Sequence, residues 1–79
     1  MNSGQLRWRC RRGLKELDML LERYLDQQYA SSSPQQQQAF RQLLSWEDPA
    51  LYRLLCAGES ANTLDQASQQ VVSAIRAVH

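Results

Sequence analysis

The stretch Arg11 to Asp18 holds two guanidiniums, a lysine, a glycine and two carboxylates. A guanidinium is a planar fork of donors, suited to a partner's carboxylates or backbone carbonyls. If a helix starts near Gly13 or Leu14, Glu16 and Asp18 fall in or just after its first turn. The positive end of the helix dipole favours carboxylates there. Arg12 and Glu16 are four apart and share one side if both are helical. Leu14, Leu17 and Leu21 then take the opposite, buried side. The result is a small polar platform with no side chain at Gly13. Glycine inside a helix costs about 1 kcal/mol relative to alanine, so Gly13 marks a turn or a place where another backbone comes close. The same spacing also suits a solvated ion pair beside a helix cap, which contributes little to stability.

This chemistry serves recognition better than catalysis. Glu16 and Asp18 are two apart on a helix and point in different directions, which makes a poor acid/base pair. No glycine-rich phosphate loop is present, and no nucleophile stands beside a plausible base. His79 is the only histidine and the last residue. Cys10 and Cys56 have neither CxxC spacing nor a nearby histidine, so zinc is unsupported. Reduced, partly buried thiols are expected in a chain with no secretory signal, one disulfide being the alternative. The chain is therefore expected to be a binding protein, not an enzyme, with no metal and no stably bound cofactor.

Net charge is only +1, from nine basic and eight acidic residues, but its distribution is uneven. Arg7, Arg9, Arg11, Arg12 and Lys15 all precede the first acid, Glu16. Such a basic end suits an acidic partner surface or nucleic acid, and a solvated terminus explains it equally. Trp8 among these arginines is an interface candidate unless it folds back onto the core.

The elements that must position these residues read as five helices in a single domain over 1–79, with residues 1–4 a loose end. The 79 residues are 43% hydrophobic and 22% charged, within the globular range. Gln5 to Arg11 forms a short helix with Leu6 and Cys10 on one side. Leu14 to Tyr29 carries the clearest apolar stripe, through Leu17, Leu21, Tyr24, Leu25 and Gln28. Ser33-Pro34 caps and starts a third helix running to Trp46, with the glutamines 35–38 as its polar first turn. Asp48-Pro49 repeats that signature, and Gly58 closes the fourth helix. Thr63 caps a fifth, whose face is Leu64, Ala67, Val71, Ala74, Ile75 and Val78. No strand pattern occurs, so the fold class is all-α. No apolar run reaches membrane-spanning length.

Trp8-Arg9-Cys10-Arg11-Arg12-Gly13-Leu14-Lys15-Glu16-Leu17-Asp18 resembles the bacterial SdhE (YgfY) family, small five-helix proteins with an Arg-Gly-x-x-Glu signature. Here the signature reads Arg12, Gly13, Glu16. Trp8 and Arg11 match the usual residues before it, and Leu17-Asp18 those after it. Asp48-Pro49-Ala50-Leu51 matches a second family feature. The resemblance spans nearly the whole chain, though the glutamine run and the polar start of the last helix are unmatched. It implies an FAD assembly factor, or chaperone, for covalent flavinylation of the flavoprotein subunit of succinate dehydrogenase, with fumarate reductase a related client. By the same resemblance Arg12 and Glu16 would be partner contacts, with Trp8, Arg9, Arg11 and Asp18 beside them. Gly13 would permit close backbone approach, and the reacting groups would belong to the partner and its FAD. A cytoplasmic protein, monomeric when free, is implied. The competing readings are a helical nucleic-acid-binding module using Arg7, Arg9, Arg11 and Arg12, and a plain helical scaffold whose motif is only a cap.

Overall fold

The computed structural model describes residues 3–77. Met1, Asn2, Val78 and His79, and the readings that fall on them, lie outside the described residues. Five α-helices follow in order: α1 (Ser3–Cys10), α2 (Lys15–Gln27), α3 (Pro34–Leu43), α4 (Asp48–Leu55) and α5 (Gln66–Arg76). A 3-10 turn, Tyr29–Ser31, joins α2 to α3. No strand occurs among the described residues, as the absence of any alternating pattern predicts. The Cα radius of gyration is 11.2 Å.

The apolar stripes of all five helices meet in one core. Leu6 and Cys10 from α1 join Leu17, Leu21, Tyr24 and Leu25 from α2. Phe40 and Leu43 from α3 meet Val71, Val72 and Ile75 from α5, while α4 adds Leu51, Leu54 and Leu55. Phe40 organises the aromatics, with ring centroids 4.8 Å from Tyr24 and 5.5 Å from Tyr29. Tilted aromatic pairs at this separation add to simple burial. Leu64, Ala67 and Ala74 pack at the edge of this core, as their spacing predicts.

Several helix boundaries depart from the sequence reading. Helix α1 begins at Ser3 and takes in Gly4, so the loose end is shorter than expected, and Arg11 lies beyond its last residue. Helix α2 starts after Leu14, which is its extended N-cap and 37% exposed rather than part of the buried stripe. It stops at Gln27, two residues short of Tyr29, which belongs to the 3-10 turn. Gln28, placed on the stripe by spacing, is its half-exposed C-cap.

Ser33 caps α3 as expected, in a full capping box with Gln36, and the glutamines continue as helix. The helix ends at Leu43, before Trp46. Asp48 is not a cap: Glu47 holds that position, and Asp48 is the first helical residue of α4. The fifth helix is capped by Asp65 rather than Thr63, because the Asp65 carboxylate accepts the Ser68 amide at 3.1 Å. Thr63 instead lies in a preceding turn closed by Leu64 N–H to the Ala61 carbonyl. Gly58 adopts φ +75° just past the end of α4, and the Glu59 amide returns to the Arg53 carbonyl at 2.9 Å.

Candidate functional site

The α1–α2 joint is four residues long and is held from three directions. Gly13 has φ +80°, a conformation that only glycine adopts without strain. A β-carbon built there would meet nothing within 4 Å. The chain itself therefore needs Gly13 for its turn and leaves the space beside it open. Asp18, from the following helix, collects the amides of the joint. Its Oδ1 accepts the Arg12 N–H at 2.7 Å and its Oδ2 the Gly13 N–H at 3.3 Å.

Arg12 lies outside both helices, and its guanidinium points inward with a side chain 13% exposed. Nε donates to the Arg9 carbonyl at 3.0 Å and Nη1 to the Trp46 carbonyl at 2.7 Å. Nη1 also meets Asp48 Oδ1 at 3.1 Å, and Nη2 donates to the Leu44 carbonyl. The amides of Leu44, Ser45 and Trp46 close the last turn of α3 onto Phe40, Gln42 and Leu43. Arg12, from a distant part of the chain, takes the carbonyls of Leu44 and Trp46 in the turn that follows. The expected Arg12–Glu16 platform is thus not formed, because the turn after α3 consumes the guanidinium. No residue near Arg12 in the sequence signals this contact, because its acceptors lie more than thirty positions away.

Glu16 remains in the first turn of α2, exposed, with no hydrogen bond or ion pair among the described residues. Cys56, the half-buried C-cap of α4, has its thiol pKa raised first by burial and second by the Glu16 charge.

The basic end is mostly engaged as well. Arg7 pairs with Asp26, and Arg11 lies 3.6 Å from Glu22, which ties α1 to the flank of α2. Of the four arginines that a phosphate-binding reading requires, Arg9 alone lacks a side-chain partner among the described residues. Trp8 does not fold back. It is 75% exposed and lines a shallow groove of about 210 Å³ with Gly4, Arg7 and Arg11. Cys10 and Cys56 are both free. Cys10 is fully buried, and burial, helped by the Glu22 charge, pushes its thiol pKa up to about 11.

A second arginine brace escaped the sequence reading. Arg76 Nε donates to the Leu54 carbonyl at 3.0 Å, and Nη2 reaches the carbonyls of Leu54 and Glu59. It braces the end of α4 as Arg12 braces the turn after α3. No group of three or more potential metal ligands occurs among the described residues. No helix there is long and apolar enough to cross a membrane.

A family model described as flavinator of succinate dehydrogenase matches residues 4–79. The FAD assembly factor SdhE of Coxiella burnetii is 46% identical over 50 residues, 63% of this chain and 61% of that protein. The protein of the same name from Idiomarina loihiensis is 48% identical over 48 residues, 61% of this chain and 53% of that protein. The matched stretches thus span less than two thirds of either relative. The Legionella pneumophila protein of that name is 36% identical over 73 residues, 92% of this chain and 89% of its own length. No solved structure matches the chain.

Proposed function

This chain belongs to the family of flavinators of succinate dehydrogenase, and from that membership we propose that it binds the flavoprotein subunit and promotes covalent FAD attachment there. The observation that carries the reading is the family match over residues 4–79. It is supported by what the α1–α2 joint leaves facing outward: open space beside Gly13, an unpaired Glu16 and an exposed Trp8.

The mechanism is preorganisation. No residue of this chain needs to touch the reacting atoms. By holding the client in the conformation where FAD meets its attachment residue, the chain converts a rare encounter into a fixed geometry, a change that can alter rates by many orders of magnitude. Glu16 and Trp8 are contact residues in this reading, and Gly13 admits the client's backbone. Arg9 and Arg11 flank the contact. Arg12 and Asp18 act from inside, by fixing the joint. The protein acts as a non-catalytic, cytoplasmic monomer, and the flavoprotein of fumarate reductase is a second client.

The test is reconstitution. Purified flavoprotein subunit lacking covalent flavin is incubated with FAD, with and without this chain, and covalent flavin is read as in-gel fluorescence after denaturation. The expected result is a large increase with the chain and little with Glu16→Ala. No increase and no complex with the subunit would overturn the proposal.

A further inference from the structure

The client contacts named above all lie on α1 and α2, and the Asp48-Pro49 start of α4 has no part in them. The fold nevertheless brings Asp48 to the Arg-Gly-x-x-Glu motif, 36 positions away in sequence. Glu47 takes the N-cap of α4 and makes no side-chain cap bond. The Asp48 carboxylate, one residue on, reaches to Arg12 instead, with Oδ1 3.1 Å from Nη1.

Arg12 is thereby gripped at both ends. From α2, Asp18 Oδ1 accepts its amide at 2.7 Å, and Oδ2 accepts the Gly13 amide at 3.3 Å. At the far end, the guanidinium meets Asp48 and the carbonyls of Trp46 and Leu44. Those carbonyls are neutral, and Asp48 is the carboxylate that pairs with the guanidinium among the described residues. The arginine side chain is only 13% exposed. A cation drawn out of water without its counter-charge carries a large desolvation cost. Asp48 therefore holds the guanidinium inside, where without it the side chain would turn out to water.

Gly13 follows Arg12 directly, at φ +80° and with open space beside it. Whatever fixes Arg12 also fixes that space relative to Glu16 in the first turn of α2. With the Asp18 grip alone, the turn can pivot about α2. A partner docking on a loose turn must first order it, and that cost is subtracted from the binding.

We infer that Asp48 is a positioning residue of the client-binding site. Acting through Arg12, it sets the Arg12–Gly13 turn for the flavoprotein and does not itself touch the client. The Asp-Pro start of α4 and the Arg-Gly-x-x-Glu motif are then two ends of one clamp. The role rests on the flavoprotein reading above and adds to it a residue from α4.

The experiment compares the wild-type chain with Asp48→Ala, Asp48→Asn, Glu47→Ala and the Arg12→Ala/Asp48→Ala double variant, with Arg12→Ala as its reference. Affinity for the purified flavoprotein subunit is measured at a temperature where every variant is folded. Amide hydrogen exchange of each chain is followed alone by NMR. Asp48→Ala should bind about tenfold more weakly. Its Arg12 amide should exchange about tenfold or more faster, a larger rise than at Val71 and Val72, which are buried in α5. Asp48→Asn keeps an acceptor for Nη1 and should restore part of both. Glu47→Ala removes a charge from the same helix end without touching Arg12 and should match wild type within about twofold, as expected for a surface change. The double variant should bind about as weakly as Arg12→Ala, because both changes open the same clamp. An equal rise in exchange at Arg12, Val71 and Val72 would make Asp48 a general stabiliser and overturn the positioning role. Weaker binding with no change at the Arg12 amide would make it a direct contact and overturn the role as well, while leaving the flavoprotein reading in place. A wild-type chain that does not bind the subunit would overturn that reading, and the positioning role with it, whatever the exchange shows.

Discussion

Arg12 donates from Nη1 to the Trp46 carbonyl at 2.7 Å, across 34 positions of sequence. This contact joins the α1–α2 turn to the α3–α4 turn. It gives the first residue of the Arg-Gly-x-x-Glu motif an internal task. Arg12→Ala would leave the carbonyls of Leu44 and Trp46 without their donor and Asp48 without its cation. The expected loss of stability is about 2–4 kcal/mol. Arg12→Lys should recover only part of it, since an ammonium cannot span three acceptors held in different directions. Urea unfolding of the three proteins checks this. If both variants match wild type in stability while losing client binding, Arg12 is a contact residue after all.

Gly13 separates backbone strain from partner approach. Most L-residues at φ +80° cost about 1–2 kcal/mol, whatever their size, because the surrounding space is open. Asparagine tolerates this region best. Gly13→Asn should therefore be nearly as stable as wild type, and Gly13→Ala and Gly13→Arg should melt together at a slightly lower temperature. Flavinylation should fall in order of side-chain size, with Gly13→Arg inactive. Equal flavinylation by Gly13→Arg and Gly13→Ala would show that no partner backbone approaches there.

The fold was readable because its signals are local. The stripe Leu17, Leu21, Tyr24, Leu25 and the Ser33-Pro34 cap each occupy a few adjacent residues, and both stand in the structure as spaced. The errors arose where the deciding group is remote. Nothing next to Asp48 in sequence reveals that its carboxylate serves Arg12 rather than a helix cap. Leu14 continues the apolar spacing of α2, yet the positive φ of Gly13 turns the chain before it, so it ends up half outside. Glu16 was readable as exposed and near a helix start. Its lack of an arginine partner was not, because that depends on where α3 ends.

Leu17 and Glu16 are sequence neighbours with opposite roles, and substitution should show it. Leu17 and Leu21 are fully buried, so Leu17→Ala or Leu21→Ala should cost about 2–5 kcal/mol. A domain this small has little more than that in total, and these variants should lose function by unfolding. Glu16 is exposed and unpaired, so Glu16→Ala should cost roughly 1 kcal/mol or less from the dipole effect. It should nevertheless fail in flavinylation. Thermal melting beside in-gel flavin fluorescence distinguishes the two kinds of loss. A stable Glu16→Ala protein with full activity would remove the carboxylate from the interface.

The last expectation concerns pH and the core. Cys10 is buried between α1 and α2, and its thiol pKa is raised from 9.0 to about 11, first by burial and then by the Glu22 charge. A folded-state pKa above the unfolded value means that folding favours the neutral thiol. That contribution is fully present below pH 9.0 and is lost progressively as pH rises toward about 11. Stability measured by urea unfolding should therefore fall between those values, and Cys10→Ala should show a shallower fall over the same window. Thiol labelling gives an independent check on the native protein. At pH 8, Cys56, half-buried at the end of α4, should react with a maleimide well before Cys10 does. Equal labelling rates for the two thiols, or the same alkaline slope in Cys10→Ala, would place Cys10 outside the dry core and leave α1 less tightly joined to α2 than the buried Leu6–Cys10 face implies.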